Sequence, residues 1–306
     1  MVVGKNRQSE DANGFTIVEL LIVVVVIAIL AAITIVAYNG IQNRAKESSL
    51  QSSTSQASKK VAAYAALNSD TYPSQATFLA DTGLSNSSDV TYDYYVRASD
   101  SKSYCVSASG PNTSISSFSL TSFSGSLNRE RCILNMETNP SSEAAAFAGA
   151  GAGSNTRTVS PTQKFSGTNS TRFTWVSGSA GIQSSIITVQ PSTTYFVSLY
   201  VYGESGALPV FNVAASDYAT NSVTMNGSSA IGSWQRISRT YTTTAAQTTL
   251  RTWTTVGSAS TFYADAILIA ALPSGSAEYN DGNSADWVWN GATNASTSFG
   301  PAVITP

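Results

Sequence analysis

From Phe15 to Ala37 the chain reads "FTIVELLIVVVVIAILAAITIVA", 23 residues with a single ionisable side chain, Glu19. As a helix this run is about 34 Å long, enough to cross a hydrocarbon layer of about 30 Å. Its wealth of Val and Ile is no obstacle, because in lipid only hydrogen bonding within the segment satisfies the backbone. A plain membrane anchor accounts for the hydrophobicity and leaves Glu19 unexplained. An ionisable group at the centre of a bilayer costs roughly 2.5–3.5 kcal/mol on insertion scales, and where one occurs it is usually functional.

The preceding residues, "MVVGKNRQSEDANG", balance Lys5 and Arg7 against Glu10 and Asp11. A secretory signal carries its small-residue cleavage site after the apolar stretch; here the small residue, Gly14, comes before it. "GFTIVELLIVVVVIAILAAI" resembles the processing and assembly signature of type IV pilins and their pseudopilin relatives. The resemblance implies cleavage between Gly14 and Phe15 by a prepilin peptidase, methylation of the new Phe15 amine, and an assembly role for Glu19. In a filament core an unpaired carboxylate is costly, and the amine freed at Phe15 is the cation that cleavage supplies. The partners implied are other pilin subunits in a helical homo- or hetero-polymer, the peptidase and the inner-membrane assembly machinery. The chain would be single-pass in the cytoplasmic membrane and then part of an extracellular filament.

Beyond the apolar run, Leu50, Thr54, Ala57, Val61 and Tyr64 recur at spacings of four and three, which predicts a helical face. Gly40 is the expected soft point, and Pro73 ends the helix. Two strands follow, Val90 to Arg97 and Ser103 to Ser107. A long helix and a small antiparallel sheet resemble the short-sheet pseudopilin type. Cys105 and Cys132 cannot form a Cys-rich zinc site. In an exported chain they read most simply as one disulfide worth about 3 kcal/mol, with two buried free thiols the alternative.

Near Asn135 the composition changes, and from Thr156 onward strand-like runs rich in Thr, Val, Ile and Tyr alternate with Gly, Ser, Asn and Pro turns. The pattern predicts an all-β sandwich or jelly roll. The fold class is therefore α+β, with a leader at 1–14, a membrane or filament-core helix at 15–37, a pilin-like globular domain at 38–133 and a β-sandwich at 134–306. "NPSSE", "TTYFVSLYV", "WQRIS" and "FYADAILI" resemble, in this order, segments of jelly-roll carbohydrate-binding modules. The final "YNDGNSADWVWNGATNASTS" is similar to the terminal segment of such modules on phage tail proteins. The module resemblance implies that Glu143 and Asp265 lie near a structural calcium. Calcium takes six to eight oxygens, so two carboxylates define no site, and two acids hydrogen-bonded to loop backbones are the alternative.

Trp175, Tyr200 with Tyr202, Trp234 and Trp253 fall on four strand-like runs and could stack on sugar faces or fill the core. Of these, Trp175, Tyr202 and Trp253 are carried forward as candidate ligand contacts. In "TYFVSLYVY" both alternating faces are apolar, so periodicity does not assign an outward side. Trp287 and Trp289 are expected to share a face of the last strand and cover an edge.

The chain has no histidine, only 11% charged residues and a net charge of −2. The commonest general base and metal ligand are missing, no paired acidic motif stands out, and no nucleic-acid partner is expected from so few cations. The reading is a non-enzymatic type IV pilus subunit displaying a β-sandwich for adhesion to a glycan or cell-surface ligand. The alternatives are a pseudopilin of a type II-like secretion system and an anchored, carbohydrate-active surface protein.

Overall fold

The computed structural model describes residues 16–111, 117–207, 209–225 and 230–305. The chain forms two compact units, residues 1–46 and 47–306. Gly14, Phe15 and the expected cleavage point lie outside the described residues. One helix, α1 (Ile17–Leu67), spans 51 residues. Within the first unit its large apolar side chains, from Ile17 to Ile41, are exposed. By length and composition it can cross a membrane. The helix runs through Gly40 without interruption, and nothing lies within 4 Å of where a Cβ would stand there.

In the second unit α1 buries Leu50, Thr54, Ala57, Val61 and Ala65. Four of the five expected face positions hold. Tyr64 is only half-buried and Ala65 takes the last place, because a 3.6-residue period leaves both positions near the stripe and the larger ring sits at its margin. A short helix α2 (Phe78–Thr82) leads to strands β1 (Thr91–Val96), β2 (Tyr104–Ser109) and β3 (Phe118–Thr121), which pair antiparallel in that order. The second expected strand thus runs two residues further, to Ser109. Period-two alternation divides β1 cleanly. Tyr94, with Tyr92 and Val96 beside it, packs toward α1 and Phe78, while Asp93 and Tyr95 face the other way, onto β4 (Arg131–Asn135) and what pairs with it.

Eleven sandwich strands follow in chain order: β5 (Ala148–Ala150), β6 (Ser154–Ser160), β7 (Ser170–Ser177), β8 (Gly181–Gln183), β9 (Ile187–Thr188), β10 (Thr194–Gly206), β11 (Phe211–Ala214), β12 (Val223–Thr224), β13 (Trp234–Thr242), β14 (Thr249–Thr254) and β15 (Ser260–Ala271). One sheet has the order β13-β10-β15-β7-β6, the other β12-β11-β14-β8-β5, with β9 also on β14. Tyr195, Val197, Leu199 and Val201 of β10 meet Phe211, Val213, Leu250, Phe262 and Ile269 between the sheets. This is the architecture of a β-sandwich. The chain ends in β16 (Ser276–Ala277), β17 (Val288–Trp289), β18 (Ser298–Ala302) and β19 (Ile304–Thr305).

β18 returns to pair antiparallel with β4, Phe299 opposite Leu134 and Pro301 opposite Cys132, giving a small sheet of order β17-β18-β4. The expected boundary at 133/134 falls inside β4. One face of this small sheet carries Cys132, Val288 and Phe299 against Cys105 and Tyr95 of the pilin-like sheet. The other carries Ile133, Trp287 and Ala302 against Phe196, Leu268 and Ala270 on the outside of the five-stranded sheet. This explains why both faces of β10 are apolar: one lines the sandwich core and the other is covered by the small sheet. Trp287 and Trp289 are both buried. They precede β18 and β19, so the expectation that they lie on the last strand is corrected. Gly300 lets the Trp287 ring lie directly on β18; a Cβ there would stand 2.5 Å from the indole.

β4 is tied down by more than its ladder. The disulfide Cys105–Cys132 joins it to β2 with Cα atoms 5.8 Å apart. Arg131 donates side-on to Asp93, Nε to Oδ2 at 2.8 Å and Nη2 to Oδ1 at 3.0 Å. At its other end Asn135 donates to the Ile267 carbonyl and accepts from Ile269 N–H. These contacts meet β15 at a bulge, where Ala266 holds φ 55° inside the core. A positive φ at alanine is unfavourable, and the Pro140 carbonyl accepts the N–H of the next residue, Ile267, at 2.8 Å.

Candidate functional site

At the start of α1, Thr16 and Glu19 form a reciprocal pair. Thr16 N–H and Oγ1–H each donate to Glu19 Oε2 at 2.8 Å, and Glu19 N–H donates back to Thr16 Oγ1 at 3.2 Å. This is a capping box, with Thr as N-cap and Glu at the third helical position. The signal was readable as T-x-x-E before an apolar run. The carboxylate therefore has a local task as a helix cap.

Glu143 and Asp265 converge on one loop, residues 165–169. Asp265 is fully buried and accepts N–H bonds from Phe165, Ser166 and Ala266. Burial pushes its carboxyl up to about 7 against those donors. Glu143 accepts from the N–H groups of Thr168 and Asn169 and from both of their side chains. Burial raises its carboxyl, but those hydrogen bonds outweigh it and hold the group below the usual range. Gly167 leaves room for the Glu143 carboxylate at φ 66°.

The atoms facing both acids are N–H and O–H donors, and two carboxylates fall short of a calcium cage. Among the described residues no group of three or more His, Cys, Asp or Glu is placed to hold a metal ion. With these hydrogen bonds the pair clamps the 165–169 loop. Glu143→Ala is expected to lower stability by about 1.5–3 kcal/mol by removing the loop's hydrogen bonds to a charged acceptor, read as a fall in thermal midpoint at pH 7. Because its folded pKa is depressed, the clamp is complete above the unfolded value of 4.5 and is lost as pH falls through the folded one. A variant with the parent's melting curve at both pH 7 and pH 4 would contradict this.

The three aromatic candidates do not share a face. Trp175 packs on the edge of the sandwich core with its Nε1–H on the Gly178 carbonyl. Tyr202 stands on the outside of the five-stranded sheet, opposite Trp234 and Tyr263. Trp253 lies on the outside of the six-stranded sheet, in a row with Asn212 and Gln183. Around Trp253 the structure gathers residues that the sequence reading did not single out. Tyr218 meets the indole edge-on at 5.5 Å. Its hydroxyl donates to Gln183 Oε1 at 2.5 Å and accepts from Arg251 Nη1 at 2.6 Å. Arg251 Nη1 also donates to Gln183 Oε1, and the guanidinium carbon sits 4.6 Å from the Tyr218 ring centroid. Gln183 is held in turn by its Nε2–H on the Gly149 carbonyl.

Strand alternation explains part of this cluster. Arg251 and Trp253 are two apart on β14 and point away from the core, while Leu250 points in. Tyr218 comes from the loop between β11 and β12, at φ 64°. A bulky residue rarely adopts that conformation, and backbone strain of this kind concentrates at functional sites. The face offers an aromatic pair, an oriented amide and a guanidinium. The six-stranded sheet is also the layer of the second unit furthest from α1 in the packing order, with the pilin-like sheet, the small sheet and the five-stranded sheet between them.

A helix able to cross a membrane, joined to a sandwich with an aromatic and polar outer face, is the plan of an anchored binding protein. Comparison with known families gives that plan its class. Residues 11–35 match the prokaryotic N-terminal methylation motif, and residues 145–261 match a carbohydrate binding domain. The chain is thus a pilin-like, N-methylation-motif protein carrying a carbohydrate-binding domain. Neither match identifies a catalytic domain, and both domain types are typically non-catalytic. The motif implies peptidase processing and an assembly machinery, and the domain implies a carbohydrate ligand.

No curated protein matches the chain. Among solved structures, a xylan-binding domain of Paenibacillus barcinonensis Xyn10C is 14% identical, covering 45% of this chain and 93% of its own, with a TM-score of 0.35. TmCBM61, solved with β-1,4-galactotriose, is 16% identical over 45% of this chain and 99% of its own, with a TM-score of 0.34. The tailspike protein 4 of bacteriophage CBA120 is 9% identical, covering 45% and 22%, with a TM-score of 0.35.

Proposed function

We propose that this chain is a subunit of a type IV pilus-like surface filament, cut after Gly14, assembled through Glu19 and the apolar helix, and displaying its sandwich for adhesion to glycans. The observation that carries the reading is the pairing of two features in one chain. A methylation motif spans residues 11–35, and the Trp253–Tyr218–Gln183–Arg251 face lies on the sheet furthest from α1 in the packing order of the second unit. Heterologous, non-closing contacts build filaments, and an apolar helix with one registering charge provides them. Trp253 supplies the stacking surface, Tyr218 its neighbouring ring, and Gln183 and Asn212 the polar groups that select hydroxyl geometry.

Trp253→Ala in the full chain is expected to weaken binding to insoluble polysaccharides roughly tenfold or more, as for a buried aromatic anchor. The thermal midpoint should stay within a few degrees of the parent. Affinity electrophoresis against a panel of soluble glycans reads the change. Binding that survives Trp253→Ala but is lost in Trp234→Ala would move the site to the five-stranded sheet.

A further inference from the structure

Arg251 is the only arginine among the described residues in the buried class, at 6% exposure. A guanidinium cannot shed its charge to escape burial. Burying one without a counter-charge is costly. Arg97, Arg129, Arg131, Arg172 and Arg236 each pair with a carboxylate. Arg251 has no carboxylate within ion-pair distance among the described residues. Its Nη1 is spent on two neutral acceptors, Gln183 Oε1 and Tyr218 OH. Its Nε is buried with no acceptor, and its Nη2 makes no hydrogen bond to a described residue.

Two other arginines use that edge on a carboxylate, while the Nε atoms of Arg97 and Arg236 are buried without an acceptor as well. Arg131 takes Asp93 side-on through Nε and Nη2, and Arg172 takes Glu204 through the same two atoms at 3.1 and 2.8 Å. The nearest acid in sequence on the Tyr218 loop, Asp217, is turned into its own bend and accepts from Ala219 N–H, Thr220 N–H and Thr220 Oγ1. Trp253 Nε1 is a further buried donor without an acceptor. The polar atoms left over on Arg251 and Trp253 are therefore all N–H donors. A sugar hydroxyl both gives and accepts a hydrogen bond, whereas a carboxylate only accepts.

Resting on the carbohydrate reading of this face, we propose that its ligand is an anionic glycan whose uronate carboxyl docks on Nη2 of Arg251. The Tyr218 ring and Gln183 hold the guanidinium in place beforehand, so little ordering is left to binding. Trp253 stacks on the same or the adjoining sugar ring.

The test uses the full chain in detergent micelles with polygalacturonate, alginate and glucuronoxylan. Each is compared with its methyl ester, which removes the charge and keeps the backbone, and neutral xylan and cellulose oligomers are included. At least one uronate polymer is expected to bind roughly tenfold tighter than its ester at low salt, and the advantage should shrink as sodium chloride rises. Arg251→Gln should reduce it to less than twofold. Should that variant fail to fold, the ester comparison and salt series on the parent chain still decide the matter. Equal binding of acid and ester, or binding of neutral oligomers alone, would overturn the proposal and leave the carbohydrate reading standing. No binding to any glycan would overturn both.

Discussion

Glu19→Gln is expected to stop filament assembly while leaving the helix and the leader processing intact. The substitution separates the helix cap from the assembly task proposed for the same side chain. Glutamine at the third helical position can still complete a capping box with Thr16, so the hydrogen bonds to Thr16 need not be lost. What disappears is the negative charge available to the amine of Phe15, on the same or a neighbouring subunit. Removing one partner of a pair buried in an apolar core costs several kcal/mol, so filaments recovered by shearing should fall roughly tenfold or more. The cleaved chain should then accumulate in the membrane fraction. Peptide mass spectrometry on sheared and membrane material reads both quantities, including whether the first residue is N-methylated Phe15. Filaments at the parent level would reduce Glu19 to a helix cap, and an N-terminus at Met1 in every fraction would undo the pilin reading.

The second large effect is expected from Cys105→Ser combined with Cys132→Ser. The bond closes a loop with a sequence separation of 27, and removing it should cost about 3 kcal/mol through the freedom returned to the unfolded chain. For a unit of this size that is a fall of roughly 6–12 °C in thermal midpoint. The bond joins β2 to β4, and β4 passes into the sandwich through Asn135. The loss should therefore loosen the small β17-β18-β4 sheet as well as the pilin-like sheet. Hydrogen exchange at Ile133 and Leu134 would follow this directly. A melting curve that matches the parent would mean that Arg131–Asp93 and the β18 ladder hold β4 without help.

The contrast between local and distant contacts explains what could be read in advance. The apolar run, the register of Gly14, Phe15 and Glu19, and four of the five buried positions of α1 are carried by neighbours in sequence, where periodicity and capping chemistry act. The two cysteines needed only the compartment in which an exported chain folds. The strand-rich character of the second half followed from turn residues and β-branched runs. The aromatic platform was not legible in the same way, because β10 is apolar on both faces and alternation alone cannot tell core from covered surface.

The sequence by itself therefore determined that the chain carries a pilin-like anchor and a β-sandwich, since both are written in contiguous residues. Only the tertiary structure decided that Trp175, Tyr202 and Trp253 part company while Trp253 gains Tyr218, Gln183 and Arg251. Those four side chains come from two neighbouring strands and a loop, and Tyr218 reaches its place through a left-handed turn. Only the tertiary structure, too, paired β18 with β4. That contact closes over most of the sandwich sequence, so its loop-closure cost and its reward are both non-local.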